Sequence, residues 1–445
     1  MICYHARWVL PITSAPIESG TVAVADGVIQ YVGPTSGAPS GMSYELGDAI
    51  LMPGLVNAHT HLELTAMRGY LEGLPFPLWI DTLRRARASV LTDDTLLDCA
   101  RLGVLEGIEH GITTYADTCS SGVSLRAMRE LSVRGIMYQE VFGPDPRVCD
   151  ASIADLTRRV EALRPEMTEL VRLGVSPHAP YTVSDELYRA TADYARREGL
   201  PMAMHIAESD DEQQLVVAGA GEFAARLRRR AIPVAPRART PIALLDQLGC
   251  LHDRPLLIHA IRADADDIKT IVRSGACVAH CPASNAKLGH GIAPLTDFLA
   301  AGVPVGLGSD SVASNNRMDM LDEARLASLF QQARVQSSSA ISAELALELA
   351  TIRGAEALGM ADRIGSLEPG KSADLAAFPL AASRCAPSQN PVATAIYAMG
   401  GTLASLVTVA GRHLREGGEH TIQPGTLRDR VISLARALAG PGVPI

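Results

Sequence analysis

No long basic run, no CxxC pair and no apolar window of membrane-spanning length occurs in this chain of 445 residues, and aromatic side chains make up only 4% of it. Each absence narrows the reading. With 40 basic against 49 acidic side chains the formal charge is −9, so neither a nucleic-acid surface nor an anionic membrane is an expected partner. The eight cysteines are scattered, and the closest pair, Cys277 and Cys281, falls within one strand-like run. Reduced thiols and a cytoplasmic location are expected from that usage. The opening stretch, MICYHARWVLPITSAP, has no basic n-region and no unbroken apolar h-region, so no signal peptide is expected there. Hydrophobic residues make up 47%, with Gly and Ala plentiful, a composition ordinary for an α/β enzyme with small residues at helix–strand contacts. The length allows one large domain with a smaller companion.

Apolar strand-like runs recur at 55–59, 112–117, 135–142, 173–178, 202–208, 256–260, 276–281 and 303–310. Helical patterns such as 95–110 and 185–198 separate them. Eight strands alternating with helices predict a parallel (β/α)8 barrel, with a doubly wound sheet as the competing architecture. Strand-rich segments flank this middle. TVAVADGVIQYVG at 21–33 turns on Asp26-Gly27, a strong hairpin signal, and further strand patterns fall at 364–378 and 403–412. The expected organisation is a small discontinuous β domain from 1–53 and 364–420, a catalytic barrel over 54–363, and a C-terminal helix and tail over 421–445 ending in GPGVPI.

The C-terminal ends of barrel strands meet at one mouth, where chemistry gathers. Run one, in LMPGLVNAHTHLE, ends in His59 and His61, which share one side if the run is extended. Run four ends in His178, run five carries His205 and then Glu208, run six ends in His259, and run eight ends in Asp310. Taken singly, each is as readily a hydrogen-bonded core residue or, for Asp310, a helix cap. Seven such residues at the same end of the barrel strands make an active site. Three neutral imidazoles and one carboxylate suit a divalent ion with an open position for water, whose pKa the ion lowers so that hydroxide becomes available. Glu208 can fold back over the mouth and His259 can orient the hydroxide. Asp310 can ligate with one oxygen and accept a proton with the other. No Lys or Cys stands at the end of run four to bridge a second ion, so one ion is expected.

PGLVNAHTH at 53–61, SPHAPYTVS at 176–184, MHIAES at 204–209, HCPASNAKLGHGIAPL at 280–295, GLGSDSVASNN at 306–316 and GKSADL at 370–375 resemble the amidohydrolase superfamily. The branch they resemble is that of the cytosine-deaminase-like, ATZ/TRZ-type aminohydrolases. It includes methylthioadenosine/S-adenosylhomocysteine deaminases, aminodeoxyfutalosine deaminases and triazine chlorohydrolases. The resemblance implies His59, His61, His205 and Asp310 as ligands of one divalent metal ion, zinc first, with iron or manganese as alternatives. It implies Glu208 as proton shuttle, His259 and Asp310 as the groups activating water, and His178 and Ser314 as contacts to the ring. The implied reaction is attack of metal-bound hydroxide on a heterocyclic carbon bearing an amine, with release of ammonia. A cytidine-deaminase type of zinc site would need a Pro-Cys-x-x-Cys element, which is absent. The implied partner is a small heterocyclic amine of the adenine nucleoside type, and the implied assembly a homodimer. Chloride removal from a triazine, deamination of guanine or another heterocycle, and a catalytically inactive scaffold are the alternatives.

Methylthioadenosine-type relatives commonly bring a Glu to the ribose after the first strand, whereas LPFPLWIDTLRRARASV offers Trp79, Arg84, Arg85 and Arg87. Trp79 and Arg147 are taken as substrate contacts, Arg147 through the loop FGPDPRVCD. Arg84 and Arg87 read as a solvated helix face rather than a clamp. Arg134 reads as structural. The arginine-rich stretch 226–239 reads as an exposed helix end and linker, with a mobile cover over the mouth as the sharper alternative. Glu63 either anchors a ligand histidine or merely faces a helix. His280 and His290 are expected to position a loop.

Overall fold

The computed structural model describes residues 1–439, so the GPGVPI tail lies outside the described residues. The chain starts with four strands, β1 (Ile2–Val9), β2 (Ile17–Ala25), β3 (Val28–Pro34) and β4 (Met42–Pro53). The β2–β3 hairpin turns through Asp26 and Gly27, both at positive φ (52° and 76°). A tight two-residue turn between twisted strands requires that backbone, and this dipeptide adopts it at low cost.

Eight strands alternating with helices follow: β5 (Leu55–Thr60), β6 (Ile112–Cys119), β7 (Arg134–Val141), β8 (Val171–Pro177), β9 (Ala203–Ile206), β10 (Leu256–His259), β11 (Cys277–His280) and β12 (Val305–Leu307). Consecutive strands pair in parallel within β5–β8 and within β9–β12. Parallel bridges from Val175 to Met202 and from Thr60 to Asp310 join the two halves and close the ring. The fold is therefore the (β/α)8 barrel and not a doubly wound sheet. Every residue of β5, β6 and β7 is buried, as expected for strands packed between a filled interior and a ring of helices.

The chain returns through β13 (Leu375–Pro379), β14 (Leu406–Val409), β15 (Arg412–Glu416) and β16 (Glu419–His420). These join the first four strands in one sheet of order β16-β15-β14-β13-β4-β1-β2-β3, in which β1 and β4 are parallel and the other neighbours antiparallel. Arg134 at the start of β7 grips Asp374 beside β13 with two bonds, from Nε at 2.8 Å and Nη2 at 3.1 Å, both side chains buried. It fastens the barrel to the terminal sheet, the structural part expected of it. The helix Leu427–Ala439 lies against the helix Asp93–Glu109, where Arg430 binds Asp98 at 2.6 Å and 2.9 Å. Among the described residues no helix is long and apolar enough to cross a membrane.

Candidate metal and active site

Side chains two apart on β5 point to one side, and Asn57 and His59 use this to face the barrel interior. Asn57 exchanges bonds with Ser309, donating from Nδ2 to Oγ at 2.7 Å and accepting from the Ser309 amide at 3.0 Å. The Asp310 amide donates to the His59 carbonyl at 2.9 Å. These contacts clamp β5 against the residues that follow β12. A Cβ at Gly308 would come within 2.8–2.9 Å of His59 backbone and side-chain atoms, so only glycine permits so close an approach. His259 and Asp310 both sit at positive φ, 73° and 56°, a backbone that costs of order 1–3 kcal/mol per non-glycine residue and persists where the surroundings fix it.

The donors converge. His61 Nε2 lies 3.2 Å from His205 Nε2, His59 Nε2 lies 3.3 Å from Asp310 Oδ1, and His61 Nε2 lies 3.6 Å from the same oxygen. Four ligands at roughly 2.0–2.1 Å around a tetrahedral ion would stand about 3.3–3.4 Å apart. His59 Nε2 is buried without a hydrogen-bond partner, as a lone pair aimed at an ion would be. The far sides of the rings are tied down. His205 Nδ1 donates to the His178 carbonyl at 3.2 Å, and Thr118 Oγ1 lies 3.2 Å from His61 Nδ1. Such tethers fix the tautomer and leave Nε2 free to ligate. The donor set fits a metal ion.

Electrostatics agree with that chemistry. Burial pushes His59 down to about 4 and lowers His61, His205 and His259, so the neutral form that metal ligation needs is favoured. Burial alone would raise Asp310, but its contacts with His59 and then with His259 and His61 hold it well below the usual carboxylate range. Glu208 behaves oppositely. Burial first, then the charges of Asp310 and Glu212, raise it well above the usual range, which favours its protonated form. Its Oε1 faces His259 Nε2 at 3.6 Å and His290 Nε2 at 3.7 Å. His259 is oriented by Asn285 Oδ1, 2.9 Å from Nδ1.

A cavity of about 940 Å³ opens onto this cluster and is lined by His61, His178, His205, Glu208, His259 and Asp310. Trp79 and Phe76 form part of its wall, with Tyr181 opposite Phe76 at 6.1 Å between ring centres. His178 and Trp79, both expected as substrate contacts, line this cavity. Ser314 and Arg147 do not. Ser314 is buried behind Asp310, donating from Oγ to Oδ2 at 2.9 Å, while Ser284 donates to the same oxygen at 2.5 Å. Oδ2 therefore already accepts two hydroxyls and is not the free proton acceptor read from the sequence. Arg147 is exposed and folded onto Asp145 two residues back, with Nη2 at 2.7 Å from Oδ2. A local acidic partner captures it outside the cavity.

Arg87 departs from expectation the other way. It is no solvated helix face: it lines the cavity and pairs with buried Glu63 at 2.6 Å. Burial would raise Glu63, but Arg87 and then the Ser121 hydroxyl outweigh it and bring the carboxyl down to about 2. Glu63 also accepts from the Ser120 amide and Oγ at 3.1 Å and 3.2 Å, and so braces the loop after β6 rather than a ligand histidine. Within 226–239, Arg226 pairs with Asp81, Arg237 with Asp185 and Arg239 with Asp267, and Arg230 reaches the cavity. His290 packs edge-on against Phe76, and the carbonyl of His280 accepts from Gly308.

Sequence reasoning passed over Glu140, Ser284 and Asn285. A signal existed for the first, since Glu140 is a charged residue near the end of an apolar strand run, like His205.

The amidohydrolase family model matches residues 50–409. A 5-methylthioadenosine/S-adenosylhomocysteine deaminase of Moorella thermoacetica is 32% identical over 419 residues, spanning 92% of this chain and 93% of the relative. An adenosine deaminase of Xanthomonas campestris, solved with bound zinc, superposes with a TM-score of 0.87 at 29% identity over 98% of each chain. An atrazine chlorohydrolase of Arthrobacter aurescens, in complex with zinc, superposes with a TM-score of 0.82 at 25% identity over 99% of this chain and 100% of its own. With its family motifs carried on a closed barrel and its histidines gathered at the mouth, the chain belongs to the amidohydrolase family.

Proposed function

We propose that this protein is a zinc-dependent aminohydrolase that deaminates an adenine nucleoside-type substrate, methylthioadenosine or S-adenosylhomocysteine first and aminodeoxyfutalosine next. The observation that carries the reading is a single arrangement: three buried imidazoles and a carboxylate converge on one point, with the buried Glu208 carboxyl at their edge. The deaminase names of similar chains support the substrate class, and the zinc bound in two similar structures supports the metal.

His59, His61, His205 and Asp310 hold the ion in this proposal, and Asp310 does so through Oδ1 because Oδ2 is engaged by Ser284 and Ser314. The ion supplies Lewis acidity that brings the pKa of the attacking water towards neutrality. The protein's own groups do the rest. Glu208 gives its proton to the ring nitrogen beside the reacting carbon, recovers one of the two protons of the attacking water, and relays the other to the departing amine, so that the water oxygen becomes the ring carbonyl and the amine leaves as ammonia. His259, with Nδ1 bonded to Asn285, turns Nε2 towards Glu208 and orients the water. His178, its Nδ1 held 2.8 Å from Thr182 Oγ1, offers Nε2 to the ring. Trp79 and Phe76 cover its apolar side and exclude solvent.

Ammonia release from methylthioadenosine, S-adenosylhomocysteine, adenosine, aminodeoxyfutalosine, guanine, cytosine and a triazine tests this. Turnover led by one adenine nucleoside supports the proposal. Turnover of the triazine alone, with chloride as leaving group, favours the second reading, for which the chlorohydrolase likeness speaks. Silence across the panel with metal bound removes the substrate assignment.

A further inference from the structure

Buried glutamates in this protein are supplied with donors, with two exceptions. Glu63 has Arg87, Ser120 and Ser121, Glu212 accepts from the amides of Ala207 and Glu208, and Glu323 accepts from the Ala283 amide and Asn315. Glu208 and Glu140 have none among the described residues. Both line the same cavity. Glu208 belongs to the β9–β10 side, against His259 and His290, and the reaction uses it. Glu140 belongs to the other side, near the end of β7, 7% exposed, with Oε1 fully buried and unpartnered. An oxygen of its carboxyl lies within 4.8 Å of ring nitrogens of His178 and His205.

An unpaired buried carboxyl is costly and persists where something else satisfies it. Arg87 is no such partner, being held by Glu63 at 2.6 Å. A second metal ion is disfavoured by the donors left over. His205 turns Nδ1 to the His178 carbonyl and Nε2 to the first cluster, and His178 turns Nδ1 to Thr182. Only one nitrogen of His178 and the Glu140 carboxyl remain, short of the three protein ligands a catalytic ion takes.

We infer that Glu140 contacts substrate, accepting a hydrogen bond from an O–H or N–H donor beside the ring held by His178, and so sets specificity on the β7–β8 side of the cavity. A carboxyl retains an acceptor oxygen in either protonation state, so this role does not depend on its titration. The inference rests on the proposed deaminase reading and deepens it. The donor has two sources, a sugar hydroxyl or the exocyclic amine of the ring.

The test is steady-state kinetics of metal-loaded wild type, Glu140→Ala and Glu140→Gln on adenosine, 2′-deoxyadenosine and 3′-deoxyadenosine, with metal per chain measured on each. The expected result is a KM raised about 10- to 100-fold in E140A, a smaller change in kcat, partial recovery in E140Q, and unchanged metal content. A penalty that vanishes for one deoxynucleoside identifies that hydroxyl as the donor, and a penalty equal across all three identifies the 5′-hydroxyl if it vanishes for methylthioadenosine, which lacks that group, and the ring amine if it persists there. An unchanged KM in E140A on a nucleoside that wild type deaminates overturns the inference and leaves the deaminase reading intact. Loss of metal in E140A also overturns it, because Glu140 would then be a ligand. If wild type deaminates none of these nucleosides and is silent on methylthioadenosine, S-adenosylhomocysteine and aminodeoxyfutalosine as well, the functional reading fails and the inference falls with it.

Discussion

Ser314 Oγ donates to Asp310 Oδ2 across 2.9 Å, and this bond, with that from Ser284, decides which oxygen of the carboxylate faces the histidines. Residues that orient a ligand typically cost 10- to 100-fold in metal affinity or activity when removed. Ser314→Ala is therefore expected to lower kcat about 10-fold and to release metal faster on dialysis, with KM little changed. A raised KM at constant kcat would return Ser314 to the ring contact that the family resemblance implies.

Glu208 is the group asked to move protons. Glu208→Gln keeps the shape of the side chain and removes its acid, and kcat should fall by about 10²- to 10⁴-fold. Metal content and KM should stay near wild type. Full turnover in this variant would remove the proton-shuttle assignment.

The buried imidazoles give the metal-free protein a defined acid weakness. An unfolded histidine takes up a proton below about 6.5, while folded His59 resists until about 4 and folded His178 until about 3. The unfolded state binds more protons across that window, so stability falls as pH drops from 6.5 towards 4. Thermal melts of stripped protein at stepped pH should show this fall, and His178→Gln should flatten it. A melting temperature independent of pH in this window would contradict the neutral assignment.

Arg87 and Glu63 form a largely buried pair, and removing one partner leaves the other charge stranded. Arg87→Ala is expected to destabilise by about 3–5 kcal/mol, and Glu63→Gln added to it should restore much of the loss. Denaturant midpoints of the two single variants and the double variant measure this. Additive losses would mean that the two side chains act independently.

Much of this protein is visible in one dimension because strand ends and the proposed ligands coincide. A barrel strand is short, apolar and interrupted at its C-terminal end, so a histidine at 59, 205 or 259 stands out by position alone. The hairpin at Asp26-Gly27 is equally local. Contacts decided by a long-range partner are not visible in this way. Nothing near Arg87 in the chain announces Glu63, 24 residues earlier and reached across the mouth. Ser314 follows β12 in the short helix Val312–Asn315, and the direction of that turn, absent from any spacing pattern, puts its hydroxyl behind Asp310. Arg147 was lost to its own neighbour Asp145, a capture that spacing allows but does not dictate.

In the proposed site His59, His61, His205 and Asp310 hold one metal ion, without which no adenine nucleoside is deaminated. The most direct measurement is ammonia released from methylthioadenosine by stripped protein as zinc is titrated in. Activity should be absent without metal, rise linearly and level off at one ion per chain, and His61→Ala should neither bind the ion tightly nor release ammonia. Turnover that is independent of added metal, or that persists in His61→Ala, would contradict the account.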